Sequence, residues 1–160
     1  MRNIVTLLVA LAFLPLAGVF VGAGAAPNAN PVKERQKLMR SVGKAMKTSV
    51  KMLRGERPYD AGAAADAMKT MNDVAGKYAG LFPEGSDMEN SIMDFDQESD
   101  AKLDIWTNMD DFKMKAAALK TASAAAQKAS GDKAAFMAAF GNVGKACKGC
   151  HGKYKADKKD

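Results

Sequence analysis

From Val32 onward the apolar residues return every three or four positions, and no stretch alternates with the period of two that a strand needs. Alanine, lysine and methionine carry the pattern and β-branched residues are scarce, so local preference and periodicity both commit the chain to helices. Val32, Gln36, Met39, Gly43, Met46, Val50 and Leu53 mark one face of a first helix, which Gly55 and Pro58 stop. Asp60 is placed to cap a second helix carrying Ala64, Met68, Met71, Ala75 and Tyr78, which ends before Gly80 and Pro83. A third is expected from about Asp100 to Ala129, with Leu103, Trp106, Met109, Lys113, Ala116 and Leu119 on its repeating face. Gly131 reads as its C-cap and Asp132 as the N-cap of a fourth, which carries Phe136, Phe140, Val143, Cys147, Cys150, His151 and Tyr154. Four amphipathic helices with two short turns predict an all-α fold, an antiparallel four-helix bundle.

The third connection is longer. Residues 81–99, LFPEGSDMENSIMDFDQES, contain Glu84, Asp87, Glu89, Asp94, Asp96 and Glu98 and no basic residue, with no sustained helical spacing. Long loops in compact domains are commonly functional or mobile; here a solvated crossover between the second and third helices is the expectation.

Ahead of the bundle, the chain opens with Arg2, an apolar run from Ile4 to about Val21 and the small residues Ala23-Gly24-Ala25. Pro15 and Gly18 interrupt the run and no positive flank follows it, so residues 1–25 read as a secretory signal cleaved near Ala25 rather than a retained anchor. The mature chain, residues 26–160, is then an exported single domain, periplasmic and free of the membrane. Without Arg2 its balance is 23 basic against 18 acidic residues, net +5. No basic cluster is interleaved with aromatics, which argues against nucleic acid as a partner.

Both cysteines and the single histidine fall in one run, Cys147-Lys148-Gly149-Cys150-His151. In an oxidising compartment two cysteines ordinarily form a disulfide, which would leave the adjacent histidine unexplained. Zinc needs four ligands where this run offers three, and a thioredoxin-type dithiol belongs after a strand in a βαβ unit. C-x-x-C-H is also the attachment signature of a c-type haem, with two thioethers from the cysteines and the histidine as axial ligand to the iron. Positions i, i+3 and i+4 of a helix share one side, so Cys147, Cys150 and His151 would face one pocket, continued by Phe136, Phe140 and Val143.

These residues carry a resemblance. FGNVGKACKGCHGKYK near the C-terminus, RQKLM in the first helix, RGERPYD at the first turn, LFPEGS and DIW together resemble the class II c-type cytochromes, which comprise cytochrome c′ and its low-spin relatives. Cytochrome c′ is itself a standard example of the four-helix bundle. The resemblance covers nearly all of the mature chain. It implies one haem c on Cys147 and Cys150, His151 on the iron, Arg35 and Gln36 near the haem propionates, and Met39 over the iron's other face. Many members carry arginine four residues after the axial histidine, where this chain has Lys155. No haem contact is carried over into residues 85–101.

Helical geometry accommodates a rim charge and an iron cap on one helix, since Arg35 and Met39 stand about 6 Å apart along the axis; Met46, about 10 Å beyond Met39, cannot cover the same iron. The pocket offers no general base, nucleophile or second metal, so no catalytic turnover is expected. The leading expectation is a one-electron carrier whose iron cycles between Fe(II) and Fe(III). The alternatives are a five-coordinate binder of NO or CO and, more remotely, a dithiol redox module. Redox proteins are the expected partners, with Lys145, Lys148, Lys153 and Lys155 as a positive ring near the attachment site. Family members often pair as homodimers through the first two helices, and the small-residue face of the second suits that.

Overall fold

The computed structural model describes residues 30–157; the signal-peptide expectation falls on residues 1–25, outside the described residues. Six α-helices follow one another: α1 (Pro31–Leu53), α2 (Ala61–Tyr78), α3 (Ser91–Phe95), α4 (Asp104–Thr107), α5 (Met109–Lys128) and α6 (Lys133–Tyr154). The four long ones, α1, α2, α5 and α6, form the expected four-helix bundle, with α1 packed on α2, α2 on α5 and α5 on α6. No strand occurs among the described residues.

The ends follow from local chemistry. The Asn30 side chain accepts from Val32 N–H and Lys33 N–H, and Pro31 at the first helical position surrenders a donor that has no partner there. At the other end of α1, Gly55 adopts φ +75°, its N–H donates to Met52 O at 3.3 Å, and Glu56 N–H donates to Lys51 O at 2.9 Å. That is a Schellman closure, which needs the left-handed residue that glycine supplies without a Cβ clash. Asp60 and Asp132 cap α2 and α6 as expected, accepting from Ala63 N–H and Ala135 N–H at 2.8 Å each. Gly131 does not cap α5: the helix closes on Ala129 at φ −83°, with Ala129 N–H donating to Ala125 O.

Two expectations about faces require correction. The buried side of α1 is Val32, Arg35, Leu38, Val42, Ala45, Ser49 and Met52, one residue round from the apolar stripe read from the sequence. Polar Arg35 and Ser49 belong to it because each is satisfied internally, Ser49 Oγ donating to Ala45 O and Arg35 to the crossover. Met39, Met46, Val50 and Leu53 flank that side half-buried, and Gly43 is exposed. The third long helix begins at Met109, not near Asp100. Asn108 stands off helical geometry at φ −131°, and its side chain donates to Asp104 O and Thr107 Oγ1, interrupting the ladder in the way short amide side chains do. The break resets the phase, so Phe112 rather than Lys113 is buried and Leu103 is exposed.

The core divides in two. A larger cluster joins Leu38, Val42, Met52, Met68, Met71, Val74, Phe136, Phe140 and Val143. A smaller aromatic one joins Phe82, Ile105, Phe112 and Tyr154 with Tyr78 and Trp106 at its edge. Its rings meet edge to face, Tyr78–Phe82 at 5.2 Å, Phe82–Phe112 at 4.7 Å and Phe112–Tyr154 at 5.2 Å, the arrangement aromatic quadrupoles favour.

The two glycines read as helix stops should therefore respond differently to alanine. Gly55→Ala forces a Cβ into the left-handed region and should cost about 1 kcal/mol, whereas Gly131→Ala, at ordinary φ and in open space, should be neutral or stabilise by up to about 1 kcal/mol. Chemical denaturation of the two variants beside wild type measures both.

Candidate functional site

A cavity opens where the two core clusters separate. It has a volume of about 210 Å³ and is partly open to solvent, far larger than the gaps of about one water that close-packed interiors leave. All four long helices wall it: Gln36, Met39 and Val42 from α1, Ala75 and Tyr78 from α2, Phe112, Lys115, Ala116 and Leu119 from α5, and Ala146, Cys147, Cys150, His151 and Tyr154 from α6. Phe82, Ser99, Asp100, Ala101 and Ile105 complete it from the crossover.

Five of the six residues singled out in the sequence thus share one cavity. Cys147 packs against the larger cluster and Cys150 against the aromatic one, so the C-x-x-C spacing bridges the two. They are not bridged to each other, and burial pushes the pKa of each thiol up. His151 lines the mouth with one flank exposed; desolvation first, and then the charge of Lys155, lower its pKa, which favours the neutral ring that can donate a lone pair to a metal. Met39, half-buried, faces the cavity from α1. Beside it Gln36 donates through Nε2 to Glu98 O at 2.7 Å.

Arg35 is the exception. It is only 3 % exposed and does not line the cavity. Its guanidinium donates to Leu81 O at 3.2 Å, to Ser86 Oγ at 2.8 Å, to Ser86 O and to Ser99 Oγ, and lies 4.5 Å over the Phe82 ring. Every hydrogen-bond partner is neutral, and no carboxylate among the described residues comes within 4.0 Å. Burial lowers its pKa, opposed by the charges of Tyr78 and Asp87.

Those bonds make the crossover an ordered structure. Gly85 takes φ +73° and passes so close to the Asp94 carboxylate that a Cβ would collide with it. Asp87 is buried but accepts from Glu89 N–H, Asn90 N–H and the Asn90 side chain; these bonds outweigh the burial penalty and hold its pKa below the usual carboxylate value. Met88 N–H donates to Ala101 O within the crossover, while the bonds from Lys102 N–H to Tyr154 O and from Ala156 N–H to Asp100 O stitch it to the end of α6. Ser99, Asp100 and Ala101 reach the cavity by this route, from the segment into which no haem contact was carried over. No side-chain pattern announces them, since two are small and the third pairs its carboxylate with Lys155 at 3.2 Å. The aromatic walls Tyr78, Phe82 and Phe112 were visible only as residues of helical or turn segments, because their convergence depends on the path between α2 and α5.

The lysine ring is partly neutralised. Lys153 pairs with Asp111 at 2.9 Å and Lys155 with Asp100, leaving Lys145 and Lys148 exposed without an ion pair among the described residues. Asp111 also accepts from Tyr154 Oη, and that bond, ahead of the one from Lys153, lowers its pKa.

The family model described as Cytochrome C′ matches residues 30–155, the whole of the bundle and its cavity. The chain belongs to this family. Cytochrome c-556 of Agrobacterium fabrum (strain C58 / ATCC 33970) is 34 % identical to it over 137 residues, 85 % of this chain and 88 % of the relative. The solved cytochrome c′ from Rhodopseudomonas palustris superposes with a TM-score of 0.74 at 27 % identity, covering 82 % of this chain and 100 % of that one. A mutant of cytochrome c prime from Alcaligenes xylosoxidans, solved as its nitric oxide complex, gives 0.67 at 26 % identity over 79 % and 94 %. As a cytochrome c′ family protein, this chain carries one covalently attached haem c with its iron. The cavity fits the group: native interiors are close-packed, so apolar space of this size flanked by two thiols and an imidazole is a cofactor site and not a packing fault. No described helix is long and apolar enough to cross a membrane.

Removing the Arg35 guanidinium should loosen the crossover without emptying the core. Arg35→Met keeps the apolar stem but leaves two carbonyls and two hydroxyls without their donor, at a cost of about 3 kcal/mol or more. Amide exchange should accelerate across residues 81–101 and stay near wild type in α2 and α5; uniform acceleration would mean global loosening instead.

Proposed function

We propose that this haem protein is an exported, periplasmic one-electron carrier, in which Cys147 and Cys150 would hold the haem by thioether bonds and His151 would give the iron a nitrogen ligand. The observation that carries the reading is the meeting, in one apolar cavity, of the C-x-x-C-H side chains of α6 with Met39 and Gln36 of α1. The haem supplies a one-electron couple at its iron. The residues around it do the rest. Tyr78, Phe82, Phe112 and Leu119 exclude water from the cavity floor, which favours a small reorganisation on electron transfer. Gln36 stands at the rim on the side assigned to the propionates, with Arg35 behind it as a buried positive charge that favours carboxylates at that edge. Met39 faces the side opposite α6 and is flexible enough to bring its thioether to the iron. Two copies pairing through α1 and α2 would use the outer surfaces of those helices, because Ala64, Ala67 and Ala75 are buried within the bundle.

The second reading is a binder of NO or CO at an open iron. It is favoured by the apolar character of the cavity beside Met39 and by the relative solved with nitric oxide.

Covalent attachment through the two cysteines is tested by extraction. Wild type should keep its haem through acidified organic solvent and denaturing electrophoresis, whereas Cys147→Ser/Cys150→Ser should release it under both. Retention in the double variant would assign the attachment elsewhere.

The spin state decides between carrier and gas binder. Optical spectra of oxidised and reduced wild type beside Met39→Leu should show a sulfur-to-iron band in wild type alone, a lower reduction potential in the variant, and CO uptake in the variant alone. High-spin wild type that binds CO, with little change on Met39→Leu, would move gas binding to first place.

A further inference from the structure

The crossover between α2 and α5 spends much to stay in one shape. It takes a buried guanidinium, the hydrogen bonds of Asp87, a left-handed Gly85, one backbone bond within it and two to the end of α6. Having done so, it leaves large apolar side chains in water. Met93 is 86 % exposed, Ile92 62 %, and Met88 and Leu103 43 % each. All four belong to the crossover, where the bond from Met88 N–H to Ala101 O brings the two ends of residues 88–101 together. Around them Glu84, Glu89, Asp94, Asp96 and Glu98 are exposed, and none forms an ion pair among the described residues. Apolar anchors, methionine prominent among them, inside a charged rim are the composition of a protein-docking surface held ready in advance.

We propose that residues 84–103 are the docking surface for a redox partner that presents lysine or arginine side chains around an apolar patch. Charge selects that occupant. The segment 81–99 is acidic throughout in a mature chain that is net positive, so the field here is negative and local. A second copy meeting the same surface across a two-fold axis would set acid against acid. Anionic lipid is repelled for the same reason. Proximity gives the surface its purpose: Ser99, Asp100 and Ala101 continue from it into the cavity wall, so a partner seated there lies beside the haem. The inference rests on the electron-carrier reading for the redox nature of the partner, and on the crossover alone for its charge and shape.

The test uses isotope-labelled holoprotein titrated with mitochondrial cytochrome c as a lysine-rich probe, and with the same probe after its lysines have been succinylated. Amide shifts should centre on residues 84–103, vanish with the succinylated probe, and weaken about tenfold or more as ionic strength rises to physiological values. Ile92→Ser/Met93→Ser should weaken binding about tenfold at unchanged salt dependence, and Glu89→Gln/Asp96→Asn/Glu98→Gln should flatten the salt dependence. All five positions are exposed, so the far-ultraviolet spectrum and the shifts of α5 and α6 should match wild type. Shifts centred on Lys145 and Lys148, affinities within twofold for both variants, or concentration-dependent shifts at residues 84–103 without any probe would each overturn the proposal. Failure of the carrier reading shows separately, as a high-spin spectrum with CO uptake in the same reduced sample, and a shift map on residues 84–103 supports the surface in either event.

Discussion

A guanidinium taken out of water must recover its hydrogen bonds inside the protein, and Arg35 recovers them from the crossover. Much of the site depends on that requirement. Because Leu81, Ser86 and Ser99 converge on one side chain, a segment that could have been a solvated loop is drawn against α1. Ser99 leads directly to Asp100 and Ala101, which pair with the end of α6 through Lys155 and Ala156. The last turn of α6, with Cys150 and His151, is thus fixed from outside the bundle as well as from within. The buried charge is incompletely matched by the protein's own acids, since Asp87 acts on it only through space. An anionic group at the neighbouring rim would complete the balance, which is the electrostatic sense in which the RQ dipeptide of α1 suits a cofactor with carboxylates.

How far the sequence disclosed this varies with the physics involved. The four long helices, the Asp60 and Asp132 caps and the Gly55 stop were legible because each is local: a period, a side-chain acceptor, a residue without a Cβ. The attachment run was legible because its three donors lie within five consecutive positions and one helix turn brings them together. The buried face of α1 was misread by one residue because apolarity stood in for burial, and Arg35 and Ser49 are buried polar residues. The start of α5 was misplaced because Asn108 can serve inside a helix or end one, and the choice depends on Asp104 and Thr107 acting as its partners. Arg35 entered only through the resemblance, as a residue near the propionates; its partners 46 to 64 residues away leave no trace in any local pattern.

The cavity is walled differently on its two sides, and the covalent attachment of the haem explains why this is tolerable. A cofactor held by covalent bonds does not depend on a tight pocket to remain bound, because the tether keeps its local concentration high whatever the pocket contributes. The walls are then free to set properties instead of affinity. On the α6 side the aromatic cluster is packed edge to face, which suits a group whose position must not vary. On the α1 side the cavity meets Met39, a half-buried, unbranched side chain with several accessible rotamers. A change at Phe112 would therefore disturb a packed wall shared by α5, α6 and the crossover, whereas a change at Met39 would alter only the side chain that α1 presents to the cavity, and placing these walls on different helices lets one be varied without rebuilding the other.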